Sequence, residues 1–252
     1  HLLSRRQRQM CIRDSYEYIK EHGYSRHLYE FKDEYANMPV DVQKDEEKGL
    51  YYVQKEKKRL YFRKSTPAKK IQKYYRALSM EQDRRSPHHY FNSVKEVTGK
   101  VFVDVGCAEG YSSLEIIEEA KHVYLFEQDE QWLEAIRATF EPWQDKVTIV
   151  QKYVSDHNSS REQTLDDFFN NQTDEHLFLK MDIEGAERHA LAGCKNLFQN
   201  CQKLDFAICT YHLRDDEEVI SAFLNKHNCT YINQKGFFRH RIRSVVMRGS
   251  KK

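Results

Sequence analysis

The sequence predicts an α/β protein: a doubly wound, mostly parallel sheet of seven strands with an antiparallel last strand, preceded by a small α+β extension. Three observations carry that expectation. Apolar strand runs alternate with helical patterns from residue 100 onward, two glycines follow the first of those runs, and the last two strands are joined too briefly for a crossover, so they pair antiparallel.

Residues 1–15 read as a non-native leader, because Arg5-Arg6-Gln7-Arg8-Gln9-Met10-Cys11-Ile12-Arg13-Asp14-Ser15 resembles translated adapter sequence and the chain opens on His1. Residues 16–90 form the extension. Within it, 16–35 mixes aromatics and charges as a short helix and loop, 50–53 and 59–62 are two short strands of a hairpin, and 68–80 is a helix with Pro67 in its first turn. Residues 91–252 form the main domain. Its first strand is Val101-Phe102-Val103-Asp104-Val105, ending in the turn Gly106-Cys107-Ala108-Glu109-Gly110, and a helix follows through 120. Then come a strand at 122–126, a helix at 130–140, and a strand at 147–150 that ends near 153–156. Next are a short helix at 164–169 capped by Thr164, and a strand at 177–183 leading into 184–187 and a helix through 197. A strand at 204–209, a helix at 215–225 and two strands near 230–233 and 242–247 complete the set.

Composition bounds the function. Of 252 residues, 32% are charged and 39% hydrophobic, and the net charge of +2 neither favours nor excludes nucleic acid as a partner. No apolar run approaches the roughly 20 residues of a membrane helix, so no membrane span is expected. The six cysteines include no C-x-x-C pair and read as reduced thiols of a cytoplasmic protein, with no metal site. A basic stretch at 55–76, interleaved with Tyr61, Phe62, Tyr74 and Tyr75, has the makings of a nucleic-acid or anionic-glycan surface, although a solvated helix face explains it more simply.

The glycine turn narrows the ligand. A dinucleotide site has the pattern G-x-G-x-x-G and leaves a helix N-terminus free for a pyrophosphate. Here the spacing is G-x-x-x-G, with Asp104 and Glu109 beside it. Two carboxylates repel a pyrophosphate but suit a cofactor that carries an ammonium and a sulfonium, which is S-adenosyl-L-methionine. Glu127 stands twenty-one positions after Gly106, where an acid usually holds a ribose diol, with Gln128 beside it. The missing third glycine disfavours the alternative of an NAD-dependent oxidoreductase. At the carboxyl ends of the strands gather Asp104, Glu109, Glu127, Ser155, Asp156, Asp182, Glu184 and His212, a registration that solubility alone would rarely produce.

Val103-Asp104-Val105-Gly106, Phe126-Glu127, Ser155-Asp156, Thr164-Leu165-Asp166 and Lys180-Met181-Asp182-Ile183-Glu184-Gly185-Ala186-Glu187 together resemble the ordered signature of FkbM-type methyltransferases, class I enzymes dependent on S-adenosylmethionine, over residues 84–247. The resemblance implies a Rossmann-like sheet and O-methylation of a hydroxyl on a sugar, glycan or polyketide-like small molecule. It also implies cofactor contact at Asp104, Gly106 and Gly110, ribose contact at Glu127, adenine contact near Val154 and Ser155, and a reacting methyl group bordered by Asp182 and Glu184. Cys107 and Glu109 in the turn, where Cys107-Ala108-Glu109 replaces the family's commoner pattern, and Gln128 and Asp182 are further expected cofactor contacts. His212 or Asp182 is the expected base and Glu184 shapes the acceptor pocket. In many relatives a glutamate stands two residues before that histidine; Thr210 occupies the position here.

Overall fold

The computed structural model describes residues 13, 16–17, 19–21, 29–170, 175–238 and 241–251. The expected leader at 1–15 therefore lies outside the described residues apart from Arg13. Seven strands build the main sheet: β4 (Val101–Val105), β5 (His122–Phe126), β6 (Val147–Val150), β9 (His176–Met181), β10 (Lys203–Cys209), β11 (Thr230–Phe238) and β12 (Arg241–Lys251), in the spatial order β11-β12-β10-β9-β4-β5-β6. β12 runs antiparallel to both neighbours and the pairings among β4, β5, β6, β9 and β10 are parallel, as expected.

From β4 the chain steps outward to β5 and β6, then crosses back to β9 on the other side of β4. The order reverses between β4 and β9, which opens the crevice where α/β sheets bind ligands. Side-chain alternation along β4 fills both faces. Val101, Val103 and Val105 pack with Leu165, Ala190, Leu197, Phe198, Ile220 and Leu224 from α5 (Leu165–Phe168), α6 (Glu187–Ala192), α7 (Lys195–Asn200) and α8 (Asp216–Lys226). Phe102 faces the opposite layer with Leu114, Ile116, Ala135 and Ile136 from α3 (Tyr111–Ile116) and α4 (Glu130–Phe140).

The extension joins that second layer. Leu50, Leu60, Phe62 and Ile71 belong to the same buried cluster as Phe102. α1 (Lys32–Ala36) precedes the expected hairpin, β2 (Leu50–Lys55) with β3 (Lys58–Tyr61), and a further strand, β1 (Val42–Asp45), pairs antiparallel with β2. Helix α2 (Ala68–Glu81) follows. Much of the basic stretch is engaged internally: Lys55 with Glu115 at 2.5 Å, Lys58 Nζ with the Leu114 carbonyl at 2.9 Å, Arg63 with Asp129 at 2.8 Å and Arg76 Nε with the Met38 carbonyl at 2.7 Å.

Two boundaries differ from expectation. The strand expected to run on toward residue 156 stops at Val150, and Tyr153–Val154 (β7) instead pairs with Glu162–Gln163 (β8) as a separate two-residue ladder. The helix expected to run through 197 is two helices, broken at Gly193 and Cys194. A Cβ at Gly193 would overlap the Ser155 carbonyl oxygen, so the helix end is pressed against the chain leaving β7. Among the described residues, no helix is long and apolar enough to cross a membrane.

Candidate active site

The turn after β4 is built by backbone bonds. The Gly106 N–H donates to the Phe126 carbonyl at 3.0 Å and the Gly110 N–H to the Cys107 carbonyl at 2.7 Å, while Gly106, Ala108 and Gly110 take φ of +79°, +47° and +80°. Only glycine enters that region without strain. A Cβ on Gly106 would overlap the Asp182 carbonyl oxygen and one on Gly110 would stand 2.7 Å from the Phe140 ring, so both sites also lack room for a side chain.

Glu127 is fastened to this turn. Its Oε2 accepts the Ala108 N–H at 3.0 Å and its Oε1 accepts the Asp129 N–H at 2.8 Å. Each oxygen keeps a lone pair for a further donor. Cys107, Val154 and Ser155 are buried, and Gln128 is half-buried beside Glu127. Burial pushes the Cys107 thiol well above its ordinary range, which suits a packing role.

The other two acids of the turn already have partners. Asp104 is 1% exposed, pairs with Lys180 Nζ at 2.8 Å across the parallel β4–β9 register, and accepts the Ser113 hydroxyl at 2.6 Å. Lys180 also donates to the Gly106 carbonyl at 2.6 Å, tying the charge pair to the turn. Desolvation favours the neutral amine, but the Asp104 and Asp182 charges outweigh it and Lys180 is held above its usual range. The sequence pattern alone assigns Lys180 no task, although a lysine within the apolar run Leu177-Phe178-Leu179 signals a buried carboxylate nearby. Glu109 is also buried, with its carboxyl raised to about 7 chiefly by desolvation, and accepts the Tyr74 hydroxyl of α2 at 2.9 Å. Tyr74 stacks on Trp132, over which the Arg63 guanidinium lies at 4.0 Å.

Beyond β9 the chain turns sharply through Glu184 (φ +55°) and Gly185 (φ +103°). This throws Glu184 outward, 92% exposed, and turns Glu187 inward, 0% exposed. Asp182 accepts the Tyr90 hydroxyl at 2.8 Å and the Tyr211 hydroxyl at 3.3 Å. Burial raises the Asp182 carboxyl, but Lys180, His212 and the Tyr90 bond together hold it below its ordinary value. His212 follows β10 with Nδ1 2.8 Å from Glu187 Oε1 and Nε2 3.5 Å from Asp182 Oδ1 and 3.6 Å from Glu184 Oε2. Desolvation lowers its basicity, yet the carboxylates of Glu187, Asp182 and Glu184 reverse the sign and the ring is held above its usual value.

Thr210 is buried against Ser244, so the position two residues before His212 supplies no carboxylate, and Glu187 brings one from α6 instead. Tyr90 and Tyr211, which sequence pattern does not single out, and Glu187, which it places in the signature block without a role, complete the cluster; an acid in step with the apolar Ala190 and Leu191 on a helix face is the available signal for Glu187. His88, in the loop ahead of β4, is buried, bonded to Tyr29 and flanked by Tyr211 and Phe238. A surface cavity lined by Asp166, Phe169, Asn170, Asn196, Leu197 and Asn200 contains none of these groups.

The Methyltransferase FkbM domain matches residues 105–231, half of the chain and the span that holds the glycine turn, Glu127, Asp182 and His212. The chain belongs to the FkbM methyltransferase domain family. Two similar solved structures are methyltransferase FkbM from Methylobacillus flagellatus KT and magnesium protoporphyrin IX methyltransferase (ChlM) from Synechocystis PCC 6803 with bound SAM. The first is 19% identical with a TM-score of 0.49, over 60% of this chain and 43% of that one. The second is 12% identical with a TM-score of 0.47, over 75% of this chain and 86% of that one. This chain thus spans less than half the length of the Methylobacillus protein. No curated protein sequence matches it. The FkbM domain begins within β4, so the extension and most of β4 lie ahead of the matched span.

Proposed function

We propose that this FkbM-domain protein is an S-adenosylmethionine-dependent O-methyltransferase acting on a hydroxyl of a sugar, glycan or polyketide-like small molecule. The observation that carries the reading is the abutment of two groups at the sheet's switch point: the glycine turn with Glu127 fastened to it, and the Asp182–His212 cluster, in contact through Gly106 and the Asp182 carbonyl.

The residues fit the cofactor. Glu127 offers two carboxylate oxygens on a fixed backbone, the geometry a vicinal diol needs, and Gln128, Val154 and Ser155 stand at the ends of the neighbouring elements. Asp104, Glu127 and Asp182 surround the turn, with Lys180 paired to Asp104 and Glu109 beside them as a buried carboxyl raised to about 7, a setting that suits an ammonium and a sulfonium and opposes a pyrophosphate. S-adenosylmethionine supplies a methyl group already activated on a cationic sulfur.

What remains for the chain is to hold, orient and accept a proton. Cys107 and the glycine backbone shape the floor, and the Lys180–Asp104 pair fixes the turn in place. Tyr90 and Tyr211 hold the Asp182 carboxylate, and Asp182, His212 and Glu184 seat the acceptor hydroxyl and take up the proton it loses. Glu184 is open to water and passes that proton out. Alignment supplies roughly 7–11 kcal/mol of such a barrier, against about 10²–10⁴ in rate for a positioned acid–base group. Positioning is therefore the larger share.

Purified chain incubated with S-adenosylmethionine labelled in the methyl group and a panel of sugars, glycans and polyketide-like alcohols tests the reading. Transfer to an oxygen supports it; transfer only to nitrogen or carbon acceptors, or none with any acceptor despite cofactor binding, removes the O-methylation claim.

A further inference from the structure

His212 stands among three carboxylates. Glu187 lies 2.8 Å from Nδ1, while Asp182 and Glu184 lie 3.5 and 3.6 Å from Nε2. A protonated ring would neutralise at most one of these charges, and Lys180 is committed to Asp104 and the Gly106 carbonyl. Negative charge gathered around buried groups calls for a compensating cation.

Hydrogen bonding does not close the cluster either. Among the described residues, His212 Nε2 and Glu187 Oε2 are buried and make no hydrogen bond, in side chains that are 7% and 0% exposed, while His212 Nδ1 is met by Glu187 Oε1 at 2.8 Å. A buried polar atom without a partner costs about 1–3 kcal/mol. Two such atoms in neighbouring side chains call for a ligand. One ligand atom from each of Asp182, Glu187 and His212 lies within 4.8 Å of the others. Atoms bound to a single ion at about 2.0–2.2 Å can stand up to about twice that distance apart, so a small closure of the side chains brings all three onto one ion.

We propose that Asp182, Glu187 and His212 bind a divalent cation, with Glu184 closing its outer side. One imidazole with carboxylates and no thiolate selects a cation such as Mn²⁺ or Zn²⁺. The buried Glu187 and His212 fix the ion from within, and the open side toward Glu184 leaves room for an oxygen of the acceptor. The consequence for catalysis rests on the methyltransferase reading above. A hydroxyl oxygen on the cation loses its proton more readily, the proton passes to the Glu184 carboxylate and on to water, and the oxygen's freed electron pair forms the bond to the methyl carbon as the carbon–sulfur bond breaks.

Chelator-treated full chain is titrated with Mn²⁺ alone, with neither cofactor nor acceptor present, and followed by electron paramagnetic resonance. The expected result is one saturable Mn²⁺ per chain, displaced by Zn²⁺, with selective broadening of the His212 ring resonances in the unaltered protein. Glu187→Gln and His212→Ala should each weaken binding by about tenfold or more. Absence of saturable binding of either ion, broadening that spares His212, or full affinity in both variants overturns the proposal. The broadening experiment needs no variant, so it decides the matter even where a substitution fails to fold. Calorimetry of the same sample with S-adenosylhomocysteine is a separate result: lost cofactor binding with retained Mn²⁺ removes the methyltransferase reading and leaves the cation site, and the reverse outcome removes only the site.

Discussion

The two halves of the crevice are finished to different degrees. On the β4–β5 side each acid already has its partners: Asp104 holds Lys180 and Ser113, Glu109 holds Tyr74, and Glu127 holds two backbone N–H groups. On the β9–β10 side, Glu187 Oε2 and His212 Nε2 are buried with no hydrogen bond among the described residues, although His212 Nδ1 is met by Glu187 Oε1 at 2.8 Å. The first half is a rigid seat whose geometry is set by folding; the second, on the proposals above, is completed by what binds there. Fixed dipoles on one side and unsatisfied groups on the other are what a transferase needs when one substrate is held for alignment and the other gives up a proton.

The largest test of this contrast removes the link between the halves. Lys180→Met strands Asp104 in the core and frees the Gly106 carbonyl, and should cost about 3–5 kcal/mol in denaturant unfolding. A loss below about 1 kcal/mol would mean that the pair is not the buried tie described. Next comes a dissociation of roles. His212→Ala should lower turnover by about 10²–10⁴ while leaving S-adenosylhomocysteine affinity unchanged, whereas Glu127→Ala should lose that affinity first. Parallel effects in the two variants would erase the distinction between the halves.

Glu109 sharpens the contrast through pH. Its carboxyl is raised in the folded chain from 4.5 to about 7, so the native state keeps a proton that the unfolded chain releases, and this group makes stability fall as pH rises through that window. Glu109→Gln should therefore gain up to about 3 kcal/mol over the wild-type protein at pH 8, with the gain shrinking to nothing below about pH 4.5. Melting curves across pH check it, and a pH-independent difference would contradict the buried-carboxyl account. The smallest expected effect is that of Tyr74→Phe, about 1 kcal/mol from one lost hydrogen bond. A much larger loss would show that the extension contributes more to the β4–β5 half than this one contact.

What the sequence revealed follows the same division. The glycine turn, the Glu127 register and the helix at 130–140 were legible because each depends on residues near one another in the chain, with φ requirements and apolar periods written locally. Glu187 facing His212 was not, because it depends on how α6 is turned by two consecutive left-handed residues and then packed against the end of β10. The break at Gly193 was hidden for a related reason. Glycine within a helical pattern is tolerable, and only the approach of the Ser155 carbonyl shows why the helix stops there. Strand β1 escaped because Val42-Gln43-Lys44-Asp45 is polar and lies at a sheet edge, where alternation need not be apolar. The burial of His88 likewise comes from Tyr29, Tyr211 and Phe238, three segments distant in sequence.

Calorimetric titration of the full chain with S-adenosylhomocysteine and, separately, with NAD tests the central claim most directly. Saturable one-to-one binding of the first, with no heat from the second and loss of binding in Glu127→Ala, is the predicted result. Uptake of NAD, or indifference to both S-adenosylhomocysteine and S-adenosylmethionine, would contradict a crevice shaped for a cationic, phosphate-free nucleoside.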